Sequence, residues 1–198
     1  MSVKGFALWA AFWLPITFGG WYFSSILFVM PLADILSLLS TTLLPQLISA
    51  VEPDGNHLLV ILTLEAQDTS TGTLRTGEML FKLNPLIYGY SIPLYTALVL
   101  ASPGEDGRRL AAWLIGAVVL LLVQALCIQS QILKVVAIDL AQETRSLLGF
   151  PNWGYEAVAL FYQLGYLILP SVTPIGLWLF QFRGFVMELA ESREVIQS

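Results

Sequence analysis

The chain has 198 residues, of which 57% are hydrophobic and only 12% are charged. A typical soluble domain carries about 25% charged residues, so this composition excludes an ordinary cytosolic globule and predicts an integral membrane protein. The net charge of −5 excludes a basic nucleic-acid-binding protein. With one Cys and one His, the chain can form neither a disulfide framework nor a Cys/His zinc cluster. We expect no cofactor, no metal site and no nucleic-acid partner, and the lipid bilayer as the surrounding medium.

Four apolar segments are long enough to be considered as membrane spans, which need ~20 helical residues. They cover residues 6–30, 85–102, 110–133 and 157–182. The first has no charged residue and no cleavage site directly after it, so we interpret it as a retained anchor rather than a secretory signal. The prolines in the fourth predict a kink. The expected fold is therefore mainly α, a four-span transmembrane helix bundle that forms one integral membrane domain over residues 1–198.

Basic residues near the ends of the spans indicate the orientation of the chain. Lys and Arg are enriched on the cytoplasmic side, most clearly in short loops. The shortest predicted loop, residues 103–109, carries Arg108 and Arg109. The same side also holds Lys4, Arg183 and Arg193, whereas the opposite side holds Arg75, Lys82, Lys134 and Arg145. We therefore expect a multi-pass protein with both termini in the cytoplasm, and nearly all of the net negative charge on the outer side.

The first outer segment, residues 31–84, is the only sizeable region between spans. A helical pattern opens just after Pro31. The runs 57–65 and 76–83 are rich in β-branched or alternating apolar residues and predict two strands, joined by a polar loop at 67–73. We expect an outer β-hairpin, and because an isolated hairpin is marginally stable, it should rest on the helices or on a partner protein.

The second outer segment, residues 134–156, predicts a long helix that projects from span three. Between residues 110 and 148 there is no proline and the only glycine is Gly116. A continuous helix of that length would extend ~58 Å, well beyond the ~30 Å of hydrocarbon. Its distal part alternates apolar and polar stripes, as expected of an amphipathic helix. The polar stripe consists of Asp139, Gln142, Glu143 and Ser146.

Few residues of the chain suggest chemistry. Cys127 lies within span three, where a free Cys usually packs as a small apolar residue, and an active thiol would need a base or a cation nearby. His57, at the start of the hairpin, is expected to be a surface turn residue. No Asp or Glu falls in the centre of a span, which argues against a proton-coupled transporter. Gln124 and Gln163 in spans three and four can join helices at ~0.6 kcal/mol each, or line a substrate groove.

General membrane rules do not explain two stretches that combine aromatic, glycine and proline residues. The first, at 84–94, contains Asn84, Pro85, Tyr88, Gly89, Tyr90 and Pro93. The second, at 162–170, contains Tyr162, Gln163, Gly165, Tyr166 and Pro170. Together with the hairpin between spans one and two, these stretches resemble the exosortase H-associated membrane protein family over most of the chain.

This resemblance implies a role in bacterial protein sorting. Exosortases are multi-span enzymes that use a Cys, an Arg and a His to process C-terminal sorting signals at the outer face of the inner membrane. The chain lacks that arrangement, because Cys127 has no Arg within its span and His57 lies in another kind of segment. The resemblance thus implies a non-enzymatic inner-membrane accessory with a periplasmic hairpin. Its partners would be an exosortase or the substrate protein, and the two stretches would be candidate contact surfaces.

Two alternatives stay open at this point. The first is a membrane-embedded enzyme that acts on a lipid or a peptide through Cys127 or the outer carboxylates. The second is a carrier for a lipid or another small molecule, lined by Gln124, Gln163 and the kinked fourth span.

Overall fold

A computed structural model describes residues 2–67 and 74–197, without the side chains of residues 65–67, 74–76, 142–143, 145–146 and 191–197. Residues 68–73 of the predicted polar loop, and the polar-stripe side chains of Gln142, Glu143 and Ser146, therefore lie outside the described residues. The fold is mainly helical with a small antiparallel sheet, as predicted. The elements in chain order are α1 (Val3–Leu43), β1 (Ile48–Asp54), β2 (His57–Gln67), β3 (Leu74–Leu83), α2 (Leu86–Gly89), α3 (Ser91–Ala101), α4 (Asp106–Lys134), α5 (Ala141–Leu148), α6 (Asn152–Gln163), α7 (Leu169–Gln181) and α8 (Arg183–Gln197). Two π-helical turns interrupt this series, π1 (Val135–Asp139) and π2 (Leu164–Ile168).

Among the described residues, three helical stretches are long and apolar enough to cross a membrane. They are Val3–Leu43, Asp106–Asp139 and Asn152–Gln181. The stretch predicted as span two corresponds to α2 and α3, an apolar but shorter helical segment, Leu86–Ala101. Three candidate spans are thus supported by length and composition, and the four-span bundle stays a prediction.

Helix α1 continues through Pro31, so the prediction of a separate helix opening after this residue was wrong. Proline removes one backbone N–H donor from a helix, which usually ends or kinks it in water. Tertiary packing of the turns that follow can outweigh the single lost hydrogen bond, so the helix continues. The second half of α1 contributes buried side chains at helical spacing, Val29, Leu32 and Leu36.

The sheet has three strands in the order β1-β2-β3, all antiparallel. The predicted hairpin of β2 and β3 is confirmed, with Leu62 opposite Met79, but the sequence reading missed β1. This strand carries Pro53 and an irregularity between Ile48 and Ala50, features that are tolerated at a sheet edge but weaken a strand pattern. One face of the sheet is buried, whereas Leu80 on the other face is 55% exposed.

The segment predicted as one long helix from 110 to 148 is not a continuous α-helix. Helix α4 ends at Lys134, and in π1 the Leu140 N–H donates to the Val135 carbonyl, a wider i to i−5 turn. The buried Thr144 hydroxyl caps this turn by donating to the Val136 carbonyl at 2.5 Å. The break divides the amphipathic part from the apolar part, and the projection of this helix beyond the membrane is not confirmed.

The second π turn, π2, lies immediately before Pro170 in the last candidate span. Pro170 has no N–H and its ring would clash with the carbonyl four residues earlier in a regular helix. A wider turn at Leu164–Ile168 accommodates both the missing N–H and the proline ring. In this span π2 precedes Pro170, whereas Pro174 lies inside the regular helix α7, and the predicted kink stays a prediction.

The chain forms two compact units, which are described separately below. Unit 1 comprises residues 1–24, 88–124 and 168–198, and unit 2 comprises residues 25–87 and 125–167. In unit 1, α3 lies along α7. In unit 2, the second half of α1 contacts both the sheet and α4: the Val51 N–H donates to the Ser37 hydroxyl at 3.4 Å, and the Ser40 hydroxyl donates to the Gln129 side-chain oxygen at 2.8 Å.

Candidate functional site

In unit 2, the second sequence motif lies against α4 at a glycine. A Cβ on Gly165 would lie 2.7 Å from the Ser130 hydroxyl and 3.3 Å from the Cys127 Cα, so the two helices approach each other backbone to backbone. Cys127 is fully buried in this contact, and its carbonyl accepts a hydrogen bond from the Ser130 hydroxyl at 2.6 Å. The thiol residue is thus part of a close helix packing, the role predicted for it from the sequence.

The same motif also contributes two tyrosines to a polar cluster, which we call the tyrosine–lysine cluster. It consists of Lys134, Asp139, Tyr162 and Tyr166. The Lys134 ammonium lies 5.7 Å from the centre of the Tyr162 ring and donates to the Asp139 carboxylate at 2.7 Å. The Tyr162 ring stacks on Tyr166 with a centroid distance of 5.7 Å. A cation is therefore held between an aromatic face and a carboxylate near the end of a candidate span.

The π turn leaves part of this motif exposed. Gln163 is exposed, and Tyr166 and Leu167 are 43% and 62% exposed. These three residues lie within five positions of one another on a helical segment whose other exposed residues are mostly apolar, for example Leu160. Since π turns in helices often occur at functional sites, this exposed patch of Gln163, Tyr166 and Leu167 is the strongest candidate contact surface in unit 2.

The remaining candidates in unit 2 are structural. The Asn84 side chain accepts the Leu86 N–H at 3.0 Å and so caps the start of α2, while Pro85 is buried. At the tip of β1 and β2, His57 is exposed, as predicted, and its strand partner is Asp54. The Lys82 ammonium bonds the Asp54 carboxylate at 2.6 Å and holds the pKa of that carboxyl below its usual value.

In unit 1, the first motif also contains a glycine at a position that has no room for a Cβ atom. A Cβ on Gly89 would lie 2.7 Å from the Trp21 indole ring and 3.0 Å from the Gln124 side-chain nitrogen. Tyr88 beside it is almost completely buried, and so is Gln124. The structure therefore brings Gln124 to the first motif as part of helix packing.

Two hydrogen bonds connect the rest of the first motif to its neighbours. The Tyr90 hydroxyl and the Ser171 hydroxyl are 2.6 Å apart, next to the buried Pro170. The Thr17 hydroxyl donates to the carbonyl of the buried Pro93 at 3.0 Å. The motif residues of unit 1 thus tie α3 to α1 and α7.

Tyr95, a buried polar residue of unit 1, was not identified from the sequence. Its side chain is fully buried in α3, and its hydroxyl lies 2.7 Å from the Ala112 carbonyl and 2.6 Å from the Gln181 side-chain oxygen. A Cβ on Gly116 would overlap the Tyr95 ring. Gly116, the lone glycine of the long helical segment, could have indicated a close contact at this position. Its tyrosine partner is 21 positions away, however, and no spacing rule connects the two residues.

No group of three or more His, Cys, Asp or Glu side chains that could hold a metal ion occurs among the described residues. Residues 1–185 match the model of a known protein family, described as exosortase H-associated membrane protein. No curated protein and no solved structure matches the chain. The family match includes both sequence motifs and all three candidate spans.

Proposed function

We propose that this chain, which belongs to the exosortase H-associated membrane protein family, is a non-catalytic accessory that assists an exosortase at the bacterial inner membrane. It would support the processing of C-terminal sorting signals, or the export of the proteins that bear them. The family match and the apolar candidate spans support a membrane component associated with an exosortase.

The single observation that favours a contact role is the exposed amide of Gln163 on an apolar helix. Lipid tails offer no hydrogen-bonding partner, so an amide that faces lipid is unfavourable compared with a Leu at the same position. A neighbouring transmembrane helix can accept a hydrogen bond from the amide N–H and donate one to the amide oxygen, at ~0.6 kcal/mol each. Tyr166 next to it is a residue type that often dominates the binding energy of protein interfaces.

The buried residues of the two motifs would act indirectly in this proposal. Gly89 and Gly165 allow close helix contacts, and Pro85, Pro93 and Pro170 are buried where helical segments begin or turn. Within unit 2, the close contact at Gly165 would hold the exposed patch at a fixed position against α4. Tyr90 and Asn84, through their hydrogen bonds, would do the same for the segment that enters α3.

The orientation in this proposal follows from the charges. The positive-inside rule places the loop with Arg108 and Arg109, and both termini, in the cytoplasm. The three-stranded sheet would then be periplasmic, the side on which sorting signals are processed. Reporter fusions in the loop at 103–105 and in the turn at 55–56 test this: opposite sides are expected, and the same side would contradict it.

Co-purification tests the proposed contact. A tagged chain, extracted in mild detergent from a bacterium that has an exosortase, should retain the enzyme. A Gln163→Leu or Tyr166→Ala variant should retain several-fold less, because the patch loses its amide or its ring. Gln46→Leu is the matched control, since Gln46 is exposed but lies outside the candidate spans. Equal retention by all variants would reject this patch as the contact, and no retention by the wild type would reject the association.

A further inference from the structure

Unit 1 contains a cavity of about 340 Å³ that the proposed function does not use. It lies between the loop that follows α3, the first turn of α4 and the junction of α7 and α8. Its lining includes Arg108, Arg109, Gln181, Phe182, Phe185 and Glu188. We call it the two-arginine cavity.

Position along the candidate spans places this cavity at a membrane surface. Asp106 is the first residue of one candidate span and Gln181 is the last residue of another. The cavity contains residues from both of these ends. It is therefore at the level where lipid headgroups are found if the two helices cross the bilayer.

The loop that forms one wall is fixed by hydrogen bonds. The Ser102 hydroxyl accepts from the Trp178 indole N–H at 2.8 Å and donates to the Leu98 carbonyl at 2.8 Å. The Ser102 carbonyl accepts from the Arg109 guanidinium at 3.4 Å. Gly104, with φ +146°, lets the loop lie against the aliphatic part of Arg109. This wall is therefore held in place before any ligand binds.

The two guanidinium groups differ in how many of their N–H donors are free to bind a ligand. Arg109 is paired with Asp106 and bonded to the Ser102 carbonyl, so part of its donor set is in use. Arg108 is exposed and has no ion-pair partner among the described residues. Guanidinium groups bind phosphate oxygens through paired N–H donors, and basic pockets at helix ends bind anionic headgroups.

We propose that the two-arginine cavity binds the phosphate headgroup of an anionic phospholipid. Arg108 supplies the main charge-assisted hydrogen bonds and Arg109 completes the cationic wall. Phe182 and Phe185 give the cavity an apolar side, which suits the glycerol and first acyl carbons of a lipid and not a free phosphate ion. The Glu188 carboxylate opposes an anion, so its removal should strengthen binding.

Lipid retention by the purified full-length chain tests this site. Detergent-solubilised protein is mixed with phosphatidylglycerol or phosphatidylcholine, and bound lipid is counted by native mass spectrometry. The wild type should retain phosphatidylglycerol in preference to phosphatidylcholine. Arg108→Gln should weaken phosphatidylglycerol binding about tenfold, and Glu188→Gln should tighten it. Arg183→Gln is the matched control, because Arg183 is exposed, carries the same charge and does not line the cavity.

Each other outcome overturns the assignment. An equal loss in Arg183→Gln and Arg108→Gln would show that only general surface charge attracts the lipid. Equal retention of both lipids would show binding through the acyl chains. Displacement of phosphatidylglycerol by an equal concentration of inorganic phosphate would identify a soluble anion as the ligand. Size-exclusion profiles of the variants confirm that they are folded, and a properly folded Arg108→Gln chain with unchanged lipid binding would reject the site. The outcome does not depend on any exosortase being present.

Discussion

The aromatic ring of Tyr95 packs directly against the helix backbone at Gly116, so closely that a Cβ on Gly116 would overlap the Tyr95 side chain. The Tyr95 hydroxyl lies within hydrogen-bonding distance of the Ala112 carbonyl and of Gln181, whose side-chain nitrogen also donates to that carbonyl at 3.2 Å. Helices α3, α4 and α7 therefore meet at one buried polar contact. This contact fixes the end of α7 where the two-arginine cavity lies.

A Gly116→Ala substitution tests how tightly this contact is packed. The added methyl group collides with the ring of a fully buried tyrosine, and overpacking of this kind costs ~1–3 kcal/mol of the free energy of unfolding. Thermal unfolding in detergent should show a lower midpoint. Gly176→Ala is the control, because nothing lies within 4 Å of a Cβ there, and it should be neutral or slightly stabilising. Equal midpoints for the two variants would contradict the packing described.

Tyr95→Phe tests the hydrogen bonds of the same contact. The substitution removes the hydroxyl that Gln181 and Ala112 share, at an expected cost of ~1–3 kcal/mol, because buried partners lose a bond. A second substitution, Gln181→Leu, should cost less in the Tyr95→Phe protein than in the wild type, since the two residues are coupled. Chemical unfolding of the four proteins measures this cycle. Additive costs would show that the two side chains act independently.

Cys127→Ala separates the packing role from a catalytic one. Cys127 is fully buried against the segment that contains Gly165, so loss of its sulfur should cost ~1 kcal/mol of stability through a small cavity. Sorting of substrate proteins in cells should continue at the wild-type level. A properly folded variant that abolishes processing would instead favour the alternative of a membrane-embedded thiol enzyme.

The ion pair between Lys82 and Asp54 should make the sheet slightly sensitive to acid. The hydrogen bond and charge of Lys82 lower the pKa of Asp54 in the folded protein. Its stabilising contribution is therefore present above the unfolded pKa of about 4 and is lost as the pH falls through the lower folded pKa. The difference in melting temperature between the wild type and Asp54→Asn should shrink over this range. In a Lys82→Met background, Asp54→Asn should change little at any pH, and a pH-independent difference would exclude this pair.

The sequence predicts the β2–β3 hairpin well and the edge strand poorly. Runs such as 57–65 contain β-branched residues between turn residues, and the partner strand alternates in burial, as the pattern requires. Strand β1 contains Pro53, which local rules assign to a turn, and its strand conformation depends on pairing with β2. Pro31 gave the opposite error: the pattern predicts a new helix after this proline, whereas α1 continues through it and buries Leu32 and Leu36 beyond it.

The sequence draws attention to the two motifs, but not to the contacts that their residues make. Glycines among aromatic residues marked Gly89 and Gly165, and both prove to be close-contact positions. The pairing of Lys134 with Tyr162 joins residues 28 positions apart and depends on where the π turns fall. No periodicity in a single sequence contains that information. Long-range contacts of this kind require the three-dimensional packing.

The most direct test of the accessory role is the fate of a sorting-signal protein in cells that lack this chain. The gene is deleted in a bacterium that encodes an exosortase, and cleavage of a tagged substrate is followed by immunoblotting. The account predicts that uncleaved substrate accumulates, that the wild-type chain and Cys127→Ala restore cleavage, and that Gln163→Leu restores it only in part. Unchanged cleavage and surface display in the deletion strain would contradict the proposed function.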